Sequence, residues 1–222
     1  EETGSILVFL PGAAEIRRTE ALLNNPPDTV RTTPLFGGLS PKEQDAAIQP
    51  APEGIRKVVL ATDIAESSLT IEGVRIVIDA GLARIPQFDP QLGVSRLETR
   101  KCARANADQR RGRAGRTEPG VCYRLWREAE TRGLLDTLAP EIVNADLTGL
   151  VLDLAHWGAT DPKELQWLDL PPEGRWRASK ERLTAMGALS DDGRLTSLGE
   201  RLTLFPLPPQ LALMILKNAE HG

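Results

Sequence analysis

Short, mainly apolar runs are the main pattern in the first third of the chain. They cover residues 5–10, 30–36, 57–61 and 74–78. Runs that are apolar throughout, and do not alternate with polar residues, are typical of strands covered on both faces, as in a parallel sheet. The pattern therefore predicts four strands of a buried parallel sheet.

Helical segments separate the first three apolar runs. Residues 12–24 predict a helix that ends before Pro26 and Pro27, since proline cannot continue one. Ser40, Pro41 and Glu43 form a helix-start signature, with a Ser N-cap, a Pro in the first turn and a Glu three residues after the cap. Strands that alternate with helices predict an α/β fold, a doubly wound parallel sheet with helices on its faces.

The second half of the chain predicts more helix than strand. A hairpin over residues 84–99 with a turn at Asp89-Pro90, a helix over about 103–113 and a strand over 121–126 complete the α/β part. Beyond it, the apolar spacing predicts helices over 140–157 and 175–189, a tight turn at residues 191–193 and a last helix from about residue 208. The predicted fold is thus an α/β domain followed by a mostly helical part.

Composition and charge restrict the possible partners. The chain is 41% hydrophobic and 26% charged, which is ordinary for a soluble protein. Its net charge of −4 gives no overall positive field, so binding to a nucleic acid must depend on a local patch. Cys102 and Cys122 match no metal-ligand spacing and are expected to be reduced thiols, which favours the cytoplasm and predicts no metal site. No signal peptide or membrane-length apolar run is present, so no membrane association is predicted.

The strongest chemical signal is the arginine segment, residues 109–116, with the sequence Gln-Arg-Arg-Gly-Arg-Ala-Gly-Arg. Residues 100–116 contain seven basic residues and one acidic residue, a local net charge of +6. Glycine weakens a helix by about 1 kcal/mol relative to alanine, but it lets a backbone approach a polyanion closely. Arg113 and Arg116 share one face of a helix, as suits a phosphate group. The alternative is a solvated basic face or a flexible Arg-Gly segment.

A second signal is the polar segment, residues 61–73, with the sequence Ala-Thr-Asp-Ile-Ala-Glu-Ser-Ser-Leu-Thr-Ile-Glu-Gly. It begins at the carboxyl end of a predicted strand, the edge where open α/β sheets bind ligands. Its hydroxyl and carboxylate groups are suited to phosphates, ribose and a nucleophilic water. The alternative is a polar loop whose side chains cap helices.

Taken in order, these segments resemble the motifs of the DEAH/RHA family of ATP-dependent RNA helicases. Residues 7–12 with 15–16 resemble motif IV, residues 35–40 with 43–44 resemble the following strand-to-helix turn, the polar segment resembles motif V and the arginine segment resembles motif VI. Gln109, where the DEAD-box pattern has His, separates the chain from that group. Later residues resemble the family's winged-helix and early ratchet region: 155–158, 165–172, 187–189 and 195–199. The residues around Trp157 and 165–168 resemble the bacterial HrpB-type branch.

The resemblance implies a domain organisation and a cofactor. It implies a second RecA-like domain over residues 1–127, a winged-helix-like domain over 128–192 and the start of a helical ratchet-like region over 193–222. ATP with Mg²⁺ is expected to bind between this domain and a first RecA-like domain in the same protein, which carries the P-loop and the acidic box. Neither motif occurs in these 222 residues. We therefore expect a fragment that hydrolyses no ATP alone.

The same resemblance implies a nucleotide-binding group of residues. Arg113 and Arg116 are expected to be arginine fingers on the γ-phosphate, and Gln109 is expected to help position the attacking water. Ser68 is expected on the γ-phosphate side. Glu72 is expected on the ribose or base side of the nucleotide.

Other residues are expected to contact the base or the nucleic acid. Ile48 occupies a position where eukaryotic members often have a Phe stacked on adenine, and an aliphatic side chain there predicts weak discrimination between bases. Thr62 is expected to bind an RNA phosphate. Gly37 and Gly38 are expected to let backbone amides approach the strand, in a contact that is indifferent to base identity.

Three questions stay open at this point. The hairpin is either a wedge that separates strands or a structural flap. The substrate is RNA, as a single strand or duplex end, or DNA, because no residue unambiguously recognises the 2′-hydroxyl. The whole chain is either part of an ATP-driven enzyme or a non-catalytic RNA-binding or protein-docking module, and Gln109 together with the two arginines favours the enzyme.

Overall fold

The computed structural model describes residues 3–23, 25–67, 69–89, 94–116 and 118–219. The chain forms two compact units. The sheet unit contains residues 1–85 and 97–138, and the helical unit contains residues 86–96 and 139–222. The functional domain boundaries predicted after residues 127 and 192 stay predictions.

Seven strands lie in the described residues. They are β1 (Ser5–Phe9), β2 (Val30–Leu35), β3 (Arg56–Ala61), β4 (Val74–Asp79), β5 (Leu82–Asp89), β6 (Val94–Lys101) and β7 (Val121–Arg124). Five form one parallel sheet in the order β2-β3-β1-β4-β7. The other two, β5 and β6, pair with each other as the predicted hairpin. The turn predicted at Asp89-Pro90 extends beyond the described residues.

Nine α-helices lie in the described part of the chain. They are α1 (Ala13–Leu22), α2 (Pro41–Ile48), α3 (Arg104–Gly112), α4 (Glu128–Thr131), α5 (Glu141–Asn144), α6 (Thr148–His156), α7 (Glu173–Ala185), α8 (Ser197–Thr203) and α9 (Pro209–Ala219). The predicted start of α2 is confirmed, since the Ser40 amide donates to Glu43 Oε2 (2.8 Å) and the Glu43 amide donates to Ser40 Oγ (3.4 Å). No described helix combines the length and apolar composition needed to cross a bilayer.

The central strands are buried as their apolar runs predict. Phe9 of β1, Val59 of β3 and Val77 of β4 are fully buried in the core of the sheet unit. Burial on both faces explains why these central strands are mainly apolar, whereas the edge strand β2 contains polar residues and has only Leu35 fully buried. The predicted α/β fold with a parallel sheet is confirmed.

The strand register defines two edges of the sheet. Phe9, the last residue of β1, pairs with Ala61 of β3 and Asp79 of β4, which are also last in their strands. The carboxyl ends of the three strands therefore lie level, at what we call the carboxyl edge. At the opposite end the Ser5 amide donates to the Gly73 carbonyl (2.8 Å), so the residues just before β4 lie at what we call the amino edge.

The helical unit has its own apolar core, and it differs from the prediction at one place. Leu147, Val151, Leu183 and Leu202 are buried together there. The single helix predicted over 140–157 is wrong, because the chain forms α5 and α6 with a break between them. At the break Asp146 Oδ1 accepts hydrogen bonds from the Thr148 amide (3.1 Å) and hydroxyl (2.6 Å). Such side-chain bonds start a new helix and compete with continuation of the old one.

Candidate functional site

The polar segment crosses from one edge of the sheet to the other. Thr62 follows β3 at the carboxyl edge, and Gly73 precedes β4 at the amino edge. The segment therefore begins at the carboxyl edge, as predicted, and its last residues, Thr70 to Glu72, lead to the amino edge. The reason is topological: because β3 and β4 are parallel, the connection between them must return the chain to the starting edge.

The arginine segment reaches this same amino edge. The helix α3 ends at Gly112, and a 3-10 turn, Arg113–Gly115, follows it. A β-carbon at Gly120 would lie 1.9 Å from the Ala114 carbonyl oxygen and 2.5 Å from that of Arg75, the second residue of β4. The turn therefore packs against the start of β4, and no residue larger than glycine fits at position 120 without a shift.

Arg113 is buried against the polar segment. Its Nε donates to the Glu66 carbonyl (2.7 Å) and its Nη1 donates to the Leu69 carbonyl (2.7 Å). The side chain is almost fully buried, and its Nη2 makes no hydrogen bond to any described residue. Burial and the neighbouring Arg116 charge lower the pKa of Arg113, although Glu66 opposes them by raising it. The guanidinium remains charged, as arginine does in proteins.

Arg116 is exposed and contacts the polar segment further along. Its Nη1 donates to the Thr70 hydroxyl (2.9 Å). Neither Arg113 nor Arg116 forms a salt bridge with a carboxylate in the described ranges. The space that a β-carbon would occupy at Gly112 and at Gly115 is open, so packing within the described chain does not require glycine there. The pair is therefore held by neutral oxygens and not by any described carboxylate, with Arg116 open to solvent and Arg113 enclosed beside it.

The other residues predicted to bind nucleotide have different surroundings. Gln109 is exposed on α3, one helical turn before Arg113, and Glu72 is exposed at the amino edge. Ser68 lies outside the described residues. Ile48 is half-buried at the end of α2, where Lys57, the second residue of β3, donates from Nζ to the Ala47 carbonyl (2.7 Å). The end of α2 therefore also lies at the amino edge.

The residues predicted to bind nucleic acid lie at the carboxyl edge. The Thr62 amide donates to the carbonyl of Leu35 (3.1 Å), the last residue of the neighbouring strand β2. Gly37 and Gly38 lie one residue beyond the end of β2 and are exposed. A β-carbon would meet nothing within 4 Å at Gly37 and only the Phe36 ring, at ordinary contact distance, at Gly38. Among the described residues, the structure thus places Arg113, Arg116 and Glu72 towards the amino edge, apart from Thr62 and the two glycines at the carboxyl edge.

The part of the sequence that contains the polar segment and the arginine segment matches a known domain family. Residues 1–118, more than half of the chain, match the helicase conserved C-terminal domain. The chain belongs to that family. Residues 181–207 match the winged-helix helicase associated domain, HA2. The chain is thus a helicase C-terminal domain followed by a region with winged-helix similarity.

Relatives of this helicase C-terminal domain are much longer proteins. The chain is 44% identical to the ATP-dependent RNA helicase HrpB of Escherichia coli over 225 residues, which cover 100% of the chain and 28% of HrpB. It is 40% identical to the pre-mRNA-splicing factor ATP-dependent RNA helicase prp22 of Schizosaccharomyces pombe over 231 residues, covering 100% of the chain and 20% of that protein. The chain therefore spans about a quarter of the length of these relatives.

Solved structures show the same similarity. The crystal structure of the Escherichia coli DEAH/RHA helicase HrpB matches 97% of the chain and 28% of its own with a TM-score of 0.91. A second, of the Escherichia coli DExH-box NTPase HrpB, matches 97% of the chain and 27% of its own with a TM-score of 0.86. Both are 44% identical to this chain, and they bear out the resemblance to DEAH/RHA helicases of the HrpB type.

The helicase C-terminal domain also contains a buried ionic cluster that sequence reasoning missed. Arg110 is 1% exposed; its Nε donates to Glu66 Oε1 (2.7 Å), and its Nη1 donates to Asp79 Oδ1 (2.8 Å) and the Leu82 carbonyl (3.1 Å). Its guanidinium carbon lies 5.1 Å from the centre of the Phe9 ring. Burial acts to lower the pKa of Arg110, but the Asp79 and Glu66 carboxylates outweigh it and raise that pKa.

A local signal for this cluster exists in the spacing of small residues. Ala103, Ala107 and Ala114 are buried, and Arg110 falls at the helical spacing that places it on their face. Its neighbour Arg111 is 62% exposed. The alanine stripe therefore distinguishes the buried arginine from the exposed one.

Proposed function

We propose that this chain is the second half of an ATP-driven RNA helicase motor, in which it supplies two arginine fingers to ATP bound with Mg²⁺. The observation that carries the proposal is the pairing of Arg113 and Arg116 with uncharged oxygens of the polar segment. The naming of the relatives as ATP-dependent RNA helicases supports it. Their greater length provides for a preceding RecA-like domain that holds most of the nucleotide.

The surroundings of the two arginines fit the γ-phosphate of ATP. Arg113 has an Nη2 that makes no hydrogen bond to the described residues, and when the side chain turns towards bound nucleotide an anionic oxygen satisfies this group better than a neutral one. Bound ATP with Mg²⁺ supplies the phosphoanhydride bond whose hydrolysis drives the motor. Arg113 and Arg116 stabilise the negative charge that develops during the transfer. Gln109 orients the attacking water.

Two further residues of the polar segment belong to the proposed nucleotide group. Ser68 is proposed to contact the γ-phosphate side, and Glu72 the ribose or base side. Glu72 lies beyond Thr70, to which Arg116 is bound. The order of residues in the polar segment therefore follows the nucleotide from its phosphates towards its base.

We propose that Gly37, Gly38 and Thr62 bind the RNA backbone at the carboxyl edge. Replacing both glycines by alanine is expected to weaken RNA binding about 10- to 100-fold, because the added β-carbons keep a phosphate away from the backbone amides and a hydrogen bond to a charged group is worth about 1.5–3 kcal/mol. The fold is expected to tolerate the change, because both sites have room for a β-carbon. Fluorescence anisotropy with RNAs of several sequences measures the affinity in the full-length protein.

The matched control is Gly174→Ala in α7, where a β-carbon also meets nothing within 4 Å. It is expected to leave RNA affinity unchanged. The loss in the double variant is expected to be equal for all base sequences, because backbone contacts carry no sequence information. Unchanged affinity in the double variant would exclude these glycines from the RNA site.

We propose that Ile48 faces the base of the nucleotide and accounts for weak base selectivity. Ile48→Phe is expected to raise the preference for ATP over pyrimidine nucleotides by about 2- to 10-fold, because aromatic stacking contributes about 0.5–1.5 kcal/mol beyond area burial. Competition of unlabelled nucleotides in an ATPase assay measures the preference. Leu22→Phe, at an exposed position of α1, is the control. Strict adenine selectivity in the unsubstituted protein would refute the hypothesis.

A further inference from the structure

We infer that Glu66 is a positioning residue, which holds the polar segment so that its carbonyl oxygens orient Arg113. The inference rests on the proposed function, because it concerns the same arginine pair. Its evidence is separate, since it comes from contacts of Glu66 that involve no nucleotide. Glu66 lies in the polar segment between Thr62, at the carboxyl edge, and Thr70, next to Arg116.

The Glu66 carboxylate is bound on both oxygens by α3. Oε1 accepts from Arg110 Nε (2.7 Å), and Oε2 accepts from Asn106 Nδ2 (2.8 Å). The residue is only 8% exposed. Arg110 and Asn106 are one helical turn apart, so the two bonds define both the position and the rotation of the carboxylate. A side chain held in this way restricts its own backbone.

The backbone of Glu66 is the part that contacts Arg113. Its carbonyl accepts from Arg113 Nε (2.7 Å), and the Leu69 carbonyl accepts from Nη1 (2.7 Å). Those two acceptors fix the plane of the guanidinium and leave Nη2 as the group with no described partner. A shift of the polar segment therefore moves Arg113. Misplacing a catalytic group by about 1 Å is enough to reduce a rate on the order of 10²-fold.

The charge balance of the cluster supports a role for Glu66 beyond its pairing with Arg110. Arg110 is hydrogen-bonded to two buried carboxylates, Glu66 and Asp79, so one negative charge exceeds what Arg110 needs. Burying an extra carboxylate is unfavourable unless something compensates it. Glu66 also acts on Arg113, since it raises the pKa of Arg113 against the larger effects of burial and Arg116. Removing the Glu66 charge alone leaves Arg110 paired with Asp79, so the fold is expected to survive.

The test uses a single variant, a double variant and a control variant in the full-length protein. Glu66→Gln keeps an acceptor for Arg110 but places an amide donor opposite the Asn106 amide. Asn106→Asp combined with Glu66→Gln exchanges acid and amide across that hydrogen bond and restores a donor–acceptor pair. The control is Glu118→Gln. The Glu118 side chain is 61% exposed and forms an ion pair with Arg75.

Two readouts separate a positioning role from a merely structural one. In the nucleotide-free protein, hydrogen–deuterium exchange of residues 62–72 is expected to be severalfold faster in Glu66→Gln, while Tm changes by only a few degrees. In the ATPase assay, kcat is expected to fall about 10- to 100-fold with KM for ATP nearly unchanged. The combination of Glu66→Gln with Asn106→Asp is expected to return both quantities to within about threefold of the parent, because it restores the hydrogen bond.

The inference is overturned if Glu66→Gln has the hydrogen–deuterium exchange rate and the kcat of the parent protein. It is equally overturned if the combined variant recovers neither the exchange rate nor kcat. It is also overturned if Tm falls sharply while kcat is kept, since that pattern belongs to a structural role. Failure of the proposed function has a different signature, which is parental kcat in Arg113→Ala. In that case the exchange data still decide whether Glu66 anchors the polar segment.

Discussion

Replacing Arg113 by alanine in the full-length protein is expected to abolish RNA-stimulated ATP hydrolysis and to leave RNA affinity almost unchanged. An arginine finger is worth about 10³–10⁵ in rate, or roughly 4–7 kcal/mol of barrier. RNA affinity is expected to persist because Arg113 lies at the amino edge, whereas Thr62 and the glycines after β2 lie at the carboxyl edge. Steady-state ATPase assays and anisotropy titrations measure the two quantities on the same preparation.

Arg111→Ala is the matched control for this prediction. Arg111 lies in the same arginine segment but is 62% exposed, and its contact is a 3.5 Å ion pair with Asp108. It is expected to keep parental activity, since exposed pairs contribute little. Arg113→Lys is expected to remain inactive because a single ammonium cannot bond the carbonyls of Glu66 and Leu69 together with a phosphate. An Arg113→Ala protein with more than about a tenth of parental turnover is incompatible with a finger role.

The second large effect concerns stability. Arg110→Met is expected to lower the free energy of unfolding of the sheet unit by about 3–5 kcal/mol, the range for breaking a buried ion pair by removing one partner. Methionine keeps an unbranched apolar stem but leaves Glu66 and Asp79 buried without their cation. It also removes the bond to the Leu82 carbonyl. Urea denaturation followed by far-ultraviolet circular dichroism measures the change in midpoint and slope.

The adjacent Arg111 again provides the comparison. Arg111→Met removes the same charge from the same helix, and its free energy of unfolding is expected to change by less than about 0.5 kcal/mol because the side chain is largely solvated. If the free energies of unfolding of the Arg110→Met and Arg111→Met variants differ by less than about 1 kcal/mol, the buried ionic cluster does not stabilise the fold as expected.

Most of the fold follows from local signals in the sequence. The apolar runs that become β1, β3 and β4 and the capping box at Ser40 depend on residues within a few positions of each other. The break between α5 and α6 was not predictable from apolar periodicity, which continues through it. It depends on Asp146, whose carboxylate bonds Thr148 and also meets Arg182 at 3.3 Å. The Arg182 contact comes from a distant part of the chain.

The candidate site was only partly predictable, for the same reason. The sequence indicates that the arginine and polar segments belong together, and the structure brings Arg113 and Arg116 against that segment. It does not indicate at which edge they meet, because that depends on the direction of the crossover between parallel strands. The burial of Arg110 depends on Glu66 and Asp79, which are 44 and 31 positions away along the chain.

The central claim is that Arg113 and Arg116 complete a nucleotide site whose other wall belongs to a preceding RecA-like domain. A crystal structure of the full-length protein with Mg²⁺ and a non-hydrolysable ATP analogue tests it most directly. We expect guanidinium nitrogens of both residues at about 2.7–2.9 Å from γ-phosphate oxygens. The claim is contradicted if the γ-phosphate lies elsewhere while Arg113 still bonds only the carbonyls of Glu66 and Leu69, and Arg116 only Thr70.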